Sequence, residues 1–123
     1  MTTSAPSASS VLYHNPRCSK SRGALELLQE KGVALQVVAY LDTPPSAAEI
    51  ETLLSQLGLA DPRDLMRTGE TEYAELNLAD PSLSRQQLIA ALAAHPRLIE
   101  RPIFVHNGRA VIGRPPERVL ELL

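Results

Sequence analysis

Ile103-Phe104-Val105-His106-Asn107-Gly108-Arg109-Ala110-Val111-Ile112 is the stretch that decides how this chain can fold. Two strand-like runs flank an Asn-Gly pair. That pair suits a two-residue type I′ turn, because both central positions need positive φ. The stretch predicts an antiparallel hairpin. Gly113 then frees the chain to turn. Pro115-Pro116 can start a final helix carrying Val119, Leu120, Leu122 and Leu123.

Working outward to the other end, Val11-Leu12-Tyr13-His14 fits a short buried strand, broken by Asn15-Pro16-Arg17-Cys18. Ala24, Leu25, Leu27 and Leu28 recur at helical spacing, and Gly32 stops that helix. Leu35 to Leu41, with Val37, Val38 and Tyr40, reads as a second strand. Strand, helix and strand at this spacing form a βαβ unit, so the two strands should be parallel with a right-handed crossover. Between this unit and the hairpin, Thr43-Pro44-Pro45 is a stiff connector. Ser46 with Glu49 and Ser84 with Gln87 have capping-box spacing, each followed by an apolar stripe. Asp61-Pro62 is another helix start, an N-cap acceptor followed by proline at N1. Residues 46–95 therefore read as wholly helical. The order is β-α-β, a helical insert, then β-β-α. It predicts an α/β protein with a four-stranded mixed sheet, helices on both faces and a helical insertion between the second and third strands. That is the thioredoxin-like pattern.

The length of 123 residues suits one domain, expected over residues 11–123, with Met1 to Ser10 as a disordered leader. A formal charge of -2 without basic or acidic blocks argues against a broad nucleic-acid face. Aromatic residues make up only 3%, which argues against base-stacking platforms. No segment approaches a membrane span, and the start lacks the features of a secretory signal. The chain reads as a soluble, cytoplasmic protein, with a monomer as the simplest state.

Cys18 is the only thiol. It falls at or before the first turn of the first helix, where free backbone N–H groups and the helix dipole favour an anion and lower a thiol pKa. Arg17, Lys20 and Arg22 add positive field, and Ser19 and Ser21 can donate hydrogen bonds to a thiolate or bound oxyanion. A lone cysteine is also often a buried structural residue, but these polar, basic flanks favour reactivity. With no second cysteine, turnover through a disulfide would require an outside thiol. His14, at the strand end, could stabilise the thiolate as imidazolium or relay a proton, or simply bond to backbone. Asn15 can hold the turn of the loop. One cysteine and 3 dispersed histidines show no metal-ligand spacing.

Ten of the 12 basic residues are arginines, whose planar forks suit oxyanions. Arg67, Arg101 and Arg114 stand where the backbone is restricted: before Thr68-Gly69, before Pro102, and between Gly113 and Pro115. Others will be solvated surface. Pro102 opens the third strand, where proline is sterically allowed.

Tyr13-His14-Asn15-Pro16-Arg17-Cys18-Ser19-Lys20-Ser21-Arg22 resembles the active-site segment of the glutaredoxin-dependent arsenate reductase family. Leu41-Asp42-Thr43-Pro44-Pro45, Leu65-Met66-Arg67, Glu100-Arg101-Pro102-Ile103 and Ile112-Gly113-Arg114-Pro115-Pro116 match its other blocks in order. The resemblance covers about residues 11–123 and looks closest to a short, uncharacterised-type branch. It implies a thioredoxin-like fold with the helical insertion. It also implies Cys18 as nucleophile, His14 as an aid to the thiolate, Arg67, Arg101 and Arg114 as oxyanion holders, and a cis Pro102. The implied chemistry is reduction of arsenate to arsenite, with glutathione as co-substrate, glutaredoxin as partner and no bound cofactor.

Two alternatives stand beside it. One is a monothiol, glutathione-linked oxidoreductase acting on another substrate. The other is a non-enzymatic, redox-responsive regulator that binds RNA polymerase on the same fold. Such regulators carry Cys-x-x-Cys, whereas this chain has Ser21 at the second position. A phosphate-loop phosphatase fits less well, because Cys18 to Arg22 is too short for its loop.

Overall fold

The computed structural model describes residues 9–123. Most of the expected leader lies outside them, and Ser10 already belongs to the first strand. The sheet comprises β1 (Ser10–His14), β2 (Gln36–Ala39), β3 (Ile103–His106) and β4 (Arg109–Ile112), in the order β2-β1-β3-β4. β1 and β2 are parallel and joined by α1 (Ser19–Glu30), whereas β1–β3 and β3–β4 are antiparallel. This is the mixed, thioredoxin-like sheet expected from the hairpin and the βαβ unit. The hairpin turn has φ of 50° at Asn107 and 83° at Gly108, as a type I′ turn requires. β2 is shorter than the expected run from Leu35 to Leu41. The N–H groups of Asp42 and Thr43 both turn back onto the Ala39 carbonyl at 2.9 Å, which ends the strand.

The insertion between β2 and β3 contains α2 (Ala47–Leu57), a 3-10 turn (Pro62–Leu65), α3 (Thr71–Glu75), α4 (Arg85–Ala94) and a second 3-10 turn (Pro96–Leu98). Both expected capping boxes form, Ser46 with Glu49 and Ser84 with Gln87. The insertion is not wholly helical. Gly58 closes α2 in the left-handed region, and Asn77, with φ of 53°, reverses the chain after the short α3.

The period of two along the strands divides the core. Val11, Tyr13, Ile103 and Val105 face the insertion, packing with Ile50, Leu53, Leu54, Leu88, Ile89 and Leu92. Leu12, Phe104 and Val111 face the other way, onto Ala24 and Leu28 of α1 and onto Val119. The expected final helix is a 3-10 helix over Pro116–Leu122, not an α-helix. Side chains three apart eclipse in that geometry. Val119 and Leu122 therefore share the face packed on the sheet.

Candidate active site

The registers Tyr13↔Ile103, His14↔Ala39 and Ile103↔Ile112 bring four chain segments to one end of the sheet. They are the loop after β1, Tyr40-Leu41 after β2, Arg101-Pro102 before β3 and Gly113-Arg114 after β4.

The loop after β1 is fastened by short local bonds. Cys18 N–H donates to the Asn15 carbonyl at 3.0 Å, and Arg17 N–H donates to Asn15 Oδ1 at 3.0 Å. Asn15 N–H donates to Ser21 Oγ at 3.0 Å, and the same oxygen lies 2.7 Å from His14 Nδ1. Ser21, Asn15 and His14 are all buried. The Ser21 side chain is thus committed to His14 and Asn15, contrary to the expectation that its hydroxyl serves the thiolate. What Ser21 offers Cys18 is its backbone N–H. Ser19 is the first residue of α1 and is exposed. Burial, followed by the charge of Arg22, holds His14 below the usual imidazole range. Both causes disfavour the imidazolium form that was expected to steady a thiolate.

Cys18 is the N-cap of α1, with extended φ of -97° and ψ of 123°, and is half-buried. Burial pushes its thiol up. The backbone N–H groups of Ser21 and Lys20, then hydrogen bonding and charge from Arg101, outweigh that push, and the thiol sits below its ordinary value. The positive field expected from the flanking residues is thus delivered mainly by Arg101, which is remote in sequence. Arg22 instead donates to the Pro16 carbonyl at 2.9 Å.

The arginines are aimed by backbone. An antiparallel bridge pairs Met66 with Ile99. On either side of it, Arg67 N–H donates to the Leu98 carbonyl at 2.7 Å and Glu100 N–H donates to the Leu65 carbonyl at 2.8 Å. Arg101–Pro102 is cis, as the resemblance implied, and Arg114–Pro115 is also cis, which was not foreseen. Gly113 N–H donates to the Pro102 carbonyl at 2.8 Å, and Arg114 Nη1 donates to the Arg101 carbonyl at 3.3 Å. A Cβ at Gly113 would stand 2.9 Å from Val119 and 3.0 Å from Pro102, so only glycine allows this close approach.

A cleft of about 460 Å³ is lined by Asn15, Arg17, Leu41, Arg67, Glu70, Arg97 and Arg101. A neighbouring one of about 310 Å³ is lined by Arg67, Thr68, Gly69, Glu70, Glu100 and Arg114. Arg67 belongs to both, whereas Arg101 and Arg114 each line one. Sequence reasoning missed Glu70, Arg97 and Glu100. Glu70 accepts from Arg67 Nη1 at 2.6 Å and from Arg97 Nη2 at 3.3 Å. Glu100 lies 3.9 Å from Arg67 Nε. The spacing of three between Arg67 and Glu70 was a usable signal. Arg97 is remote from both and left none. Among the described residues, no three His, Cys, Asp or Glu side chains gather as a metal site. A lowered thiol beside a cationic cleft can bind an oxygen-rich anion and attack its central atom.

The chain is 58% identical over 112 residues to an uncharacterised protein, YfgD, of Escherichia coli, covering 91% of this chain and 94% of that one. It is 50% identical to a protein named arsenate reductase in Neisseria meningitidis, covering 91% and 96%. A solved structure described as the arsenate reductase from Vibrio cholerae superposes with a TM-score of 0.91 at 57% identity, covering 93% of this chain and 97% of that chain. With the ArsC family profile matching residues 13–122, this chain belongs to the ArsC family.

Proposed function

We propose that the protein is a thiol-dependent oxidoreductase that reduces arsenate to arsenite through Cys18, with glutathione and glutaredoxin supplying the electrons. The observation that carries this reading is Cys18 at the start of α1, its thiol held down by the Ser21 and Lys20 N–H groups and by Arg101, beside a cleft that Arg101, Arg67 and Arg97 line. The names of relatives sharing half or more of the sequence support arsenate as the oxyanion.

In this mechanism the Cys18 thiolate attacks arsenic, an S–As bond forms, and one arsenate oxygen leaves as water after protonation. Arg67, Arg101 and Arg114 offset the charge of the anion as it is displaced. A glutathione thiol then attacks the adduct. Arsenic takes up two electrons and leaves as arsenite as the sulfur atoms pair into a disulfide, and glutaredoxin returns that disulfide to thiols. The outside thiols are obligatory because Cys18 has no second cysteine in the chain. Asn15, Ser21 and His14 act by holding the loop, Ser19 opens α1 at its end, and Pro102 holds the segment that carries Arg101. The protein works as a monomer in the cytoplasm, where the glutathione pool keeps thiols reduced. Among the described residues no helix is long and apolar enough to cross a membrane.

The test is arsenate reduction coupled to glutathione, glutaredoxin, glutathione reductase and NADPH, with wild type and Cys18→Ser. NADPH consumption that needs arsenate, glutaredoxin and Cys18 is the expected result. A flat trace from protein whose thiol still alkylates rapidly would reject arsenate and leave a glutathione-linked oxidoreductase with another substrate.

A further inference from the structure

Three buried side-chain atoms among the described residues have no hydrogen-bond partner, and two of them, Tyr40 Oη and Arg101 Nε, belong to the same end of the sheet. Tyr40 is only 1% exposed. The register His14↔Ala39 sets Tyr40 beside Asn15, whose carbonyl accepts the Cys18 N–H. Tyr40 belongs to the core cluster on the insertion face that also holds Leu65, Met66, Leu98 and Ile99, the residues that lead into Arg67 and Arg101. Burial raises the Tyr40 phenol above its ordinary value, while the charges of Arg101 and Arg67 lower it and Cys18 raises it. The hydroxyl therefore lies within the field of all three groups. A hydrogen-bonding influence of the Asn15 side chain also lowers the phenol, although Tyr40 Oη has no partner in full bonding geometry.

A buried hydroxyl normally finds a partner, and leaving one without costs stability. Arg101 Nε can only donate, and Tyr40 Oη can donate or accept. Both atoms are left without a partner. An oxygen-rich anion would accept from both. Arg101 is half-buried and lines the cleft, so its guanidinium is within reach of such an anion.

We infer that Tyr40 is a fourth anion-binding residue, whose hydroxyl donates to an oxygen of the anion held by Arg101 next to Cys18. The inference rests on the proposed oxyanion chemistry and adds the group that answers the anion from the core side. It makes binding partly an exchange: an orphaned phenol and an orphaned guanidinium N–H each gain an acceptor when the anion arrives.

Tyr40→Phe removes one oxygen and keeps the ring in the core. Calorimetric titration with inorganic arsenate, without glutathione, should show about a tenfold weaker affinity in the variant. The thermal midpoint without arsenate should be unchanged or a few degrees higher, because an unsatisfied group has gone. A hydroxyl with a purely structural role would do the opposite, lowering the midpoint and leaving affinity intact. That result, or equal affinity of the two proteins, overturns the inference. A second readout needs no variant. The chain has 3 tyrosines and no tryptophan, so arsenate should perturb the tyrosine ultraviolet difference spectrum of wild type. A wild type that binds arsenate with no spectral change overturns the role of Tyr40 alone. A wild type that binds no arsenate overturns both this inference and the proposed substrate.

Discussion

The thiol side and the arginine side of the site are held in different ways. On the thiol side, buried Asn15, His14 and Ser21 satisfy one another through bonds of 2.7 to 3.0 Å, and Cys18 is fixed through the Asn15 carbonyl. On the arginine side, Arg67 is held by Glu70, a carboxylate that Arg97 also claims, and Arg101 keeps a buried N–H without an acceptor. The first region is finished before a substrate arrives. The second is a set of cations whose present partners can be exchanged. A nucleophile must be placed to within a fraction of an ångström, so rigid local bonding suits it. A clamp for an anion gains from donors not wholly committed elsewhere, since ligand oxygens then replace weaker contacts.

The contrast can be broken most forcefully at Arg101, the residue that serves both sides. Arg101→Leu should lower arsenate turnover about a hundredfold or more, and should move the pH midpoint of Cys18 alkylation upward toward that of a free cysteine. Unchanged alkylation would mean that the helix N–H groups alone set the thiol. Next in size is Ser21→Ala, which strips an acceptor from the Asn15 N–H and a partner from His14. The expected loss is about 1–3 kcal/mol, read as a fall of roughly 4–15 °C in the thermal midpoint. A midpoint within a degree of wild type would show the thiol side to be less committed than its bonds imply.

Glu70→Gln probes the other side. The ion pairs it weakens are partly exposed and worth about 0–1 kcal/mol, so stability should barely change. Freed Arg67 and Arg97 should then bind arsenate about two- to fivefold more tightly at low salt. Weaker binding would instead mean that Glu70 aims Arg67 rather than competing for it.

The smallest effect concerns pH. The native pKa of His14 lies below its ordinary 6.5, so between those two values the unfolded chain binds a proton that the native protein does not. Stability due to His14 is complete above 6.5 and is lost as pH falls through the lowered native value. Denaturant melts from pH 7 downward should show that loss, and His14→Gln should flatten it. An identical pH profile in the variant would assign the slope to other groups.

What the sequence made legible is what local chemistry decides. Asn107-Gly108 had to be a turn because few other pairs accept positive φ twice in succession. Ser46 and Ser84 had to start helices because the matching Glu49 and Gln87 stand three residues on. Cys18 could be placed at a helix start, and Arg101 and Arg114 beside prolines that limit the backbone. The illegible part is what folding brings together from afar. Nothing near Glu70 announces Arg97 as its second partner, and nothing near Cys18 announces Arg101 as the charge beside it. Ser21 was visible as a polar neighbour of the thiol, but its side-chain direction depends on where β1 ends and α1 begins. Tyr40 reads as an ordinary core aromatic because its ring is one. Only its hydroxyl has an unusual position. The final segment misled for a different reason: apolar spacing of three fits a 3-10 helix as well as one turn of an α-helix.

The Met66↔Ile99 bridge has a bearing on how this architecture can diversify. It closes residues 67–98 into a loop whose two ends are stitched together at the border of the site. Length changes in the turn between α3 and α4 are absorbed inside that loop and need not reach Arg67 or Arg101. The bridge thus works as a hem, with Arg63 as a second stitch through its bonds to the Leu78 and Asp80 carbonyls. A graft of a few residues near Pro81 would lengthen the outer rim while the thiol and its arginines kept their spacing.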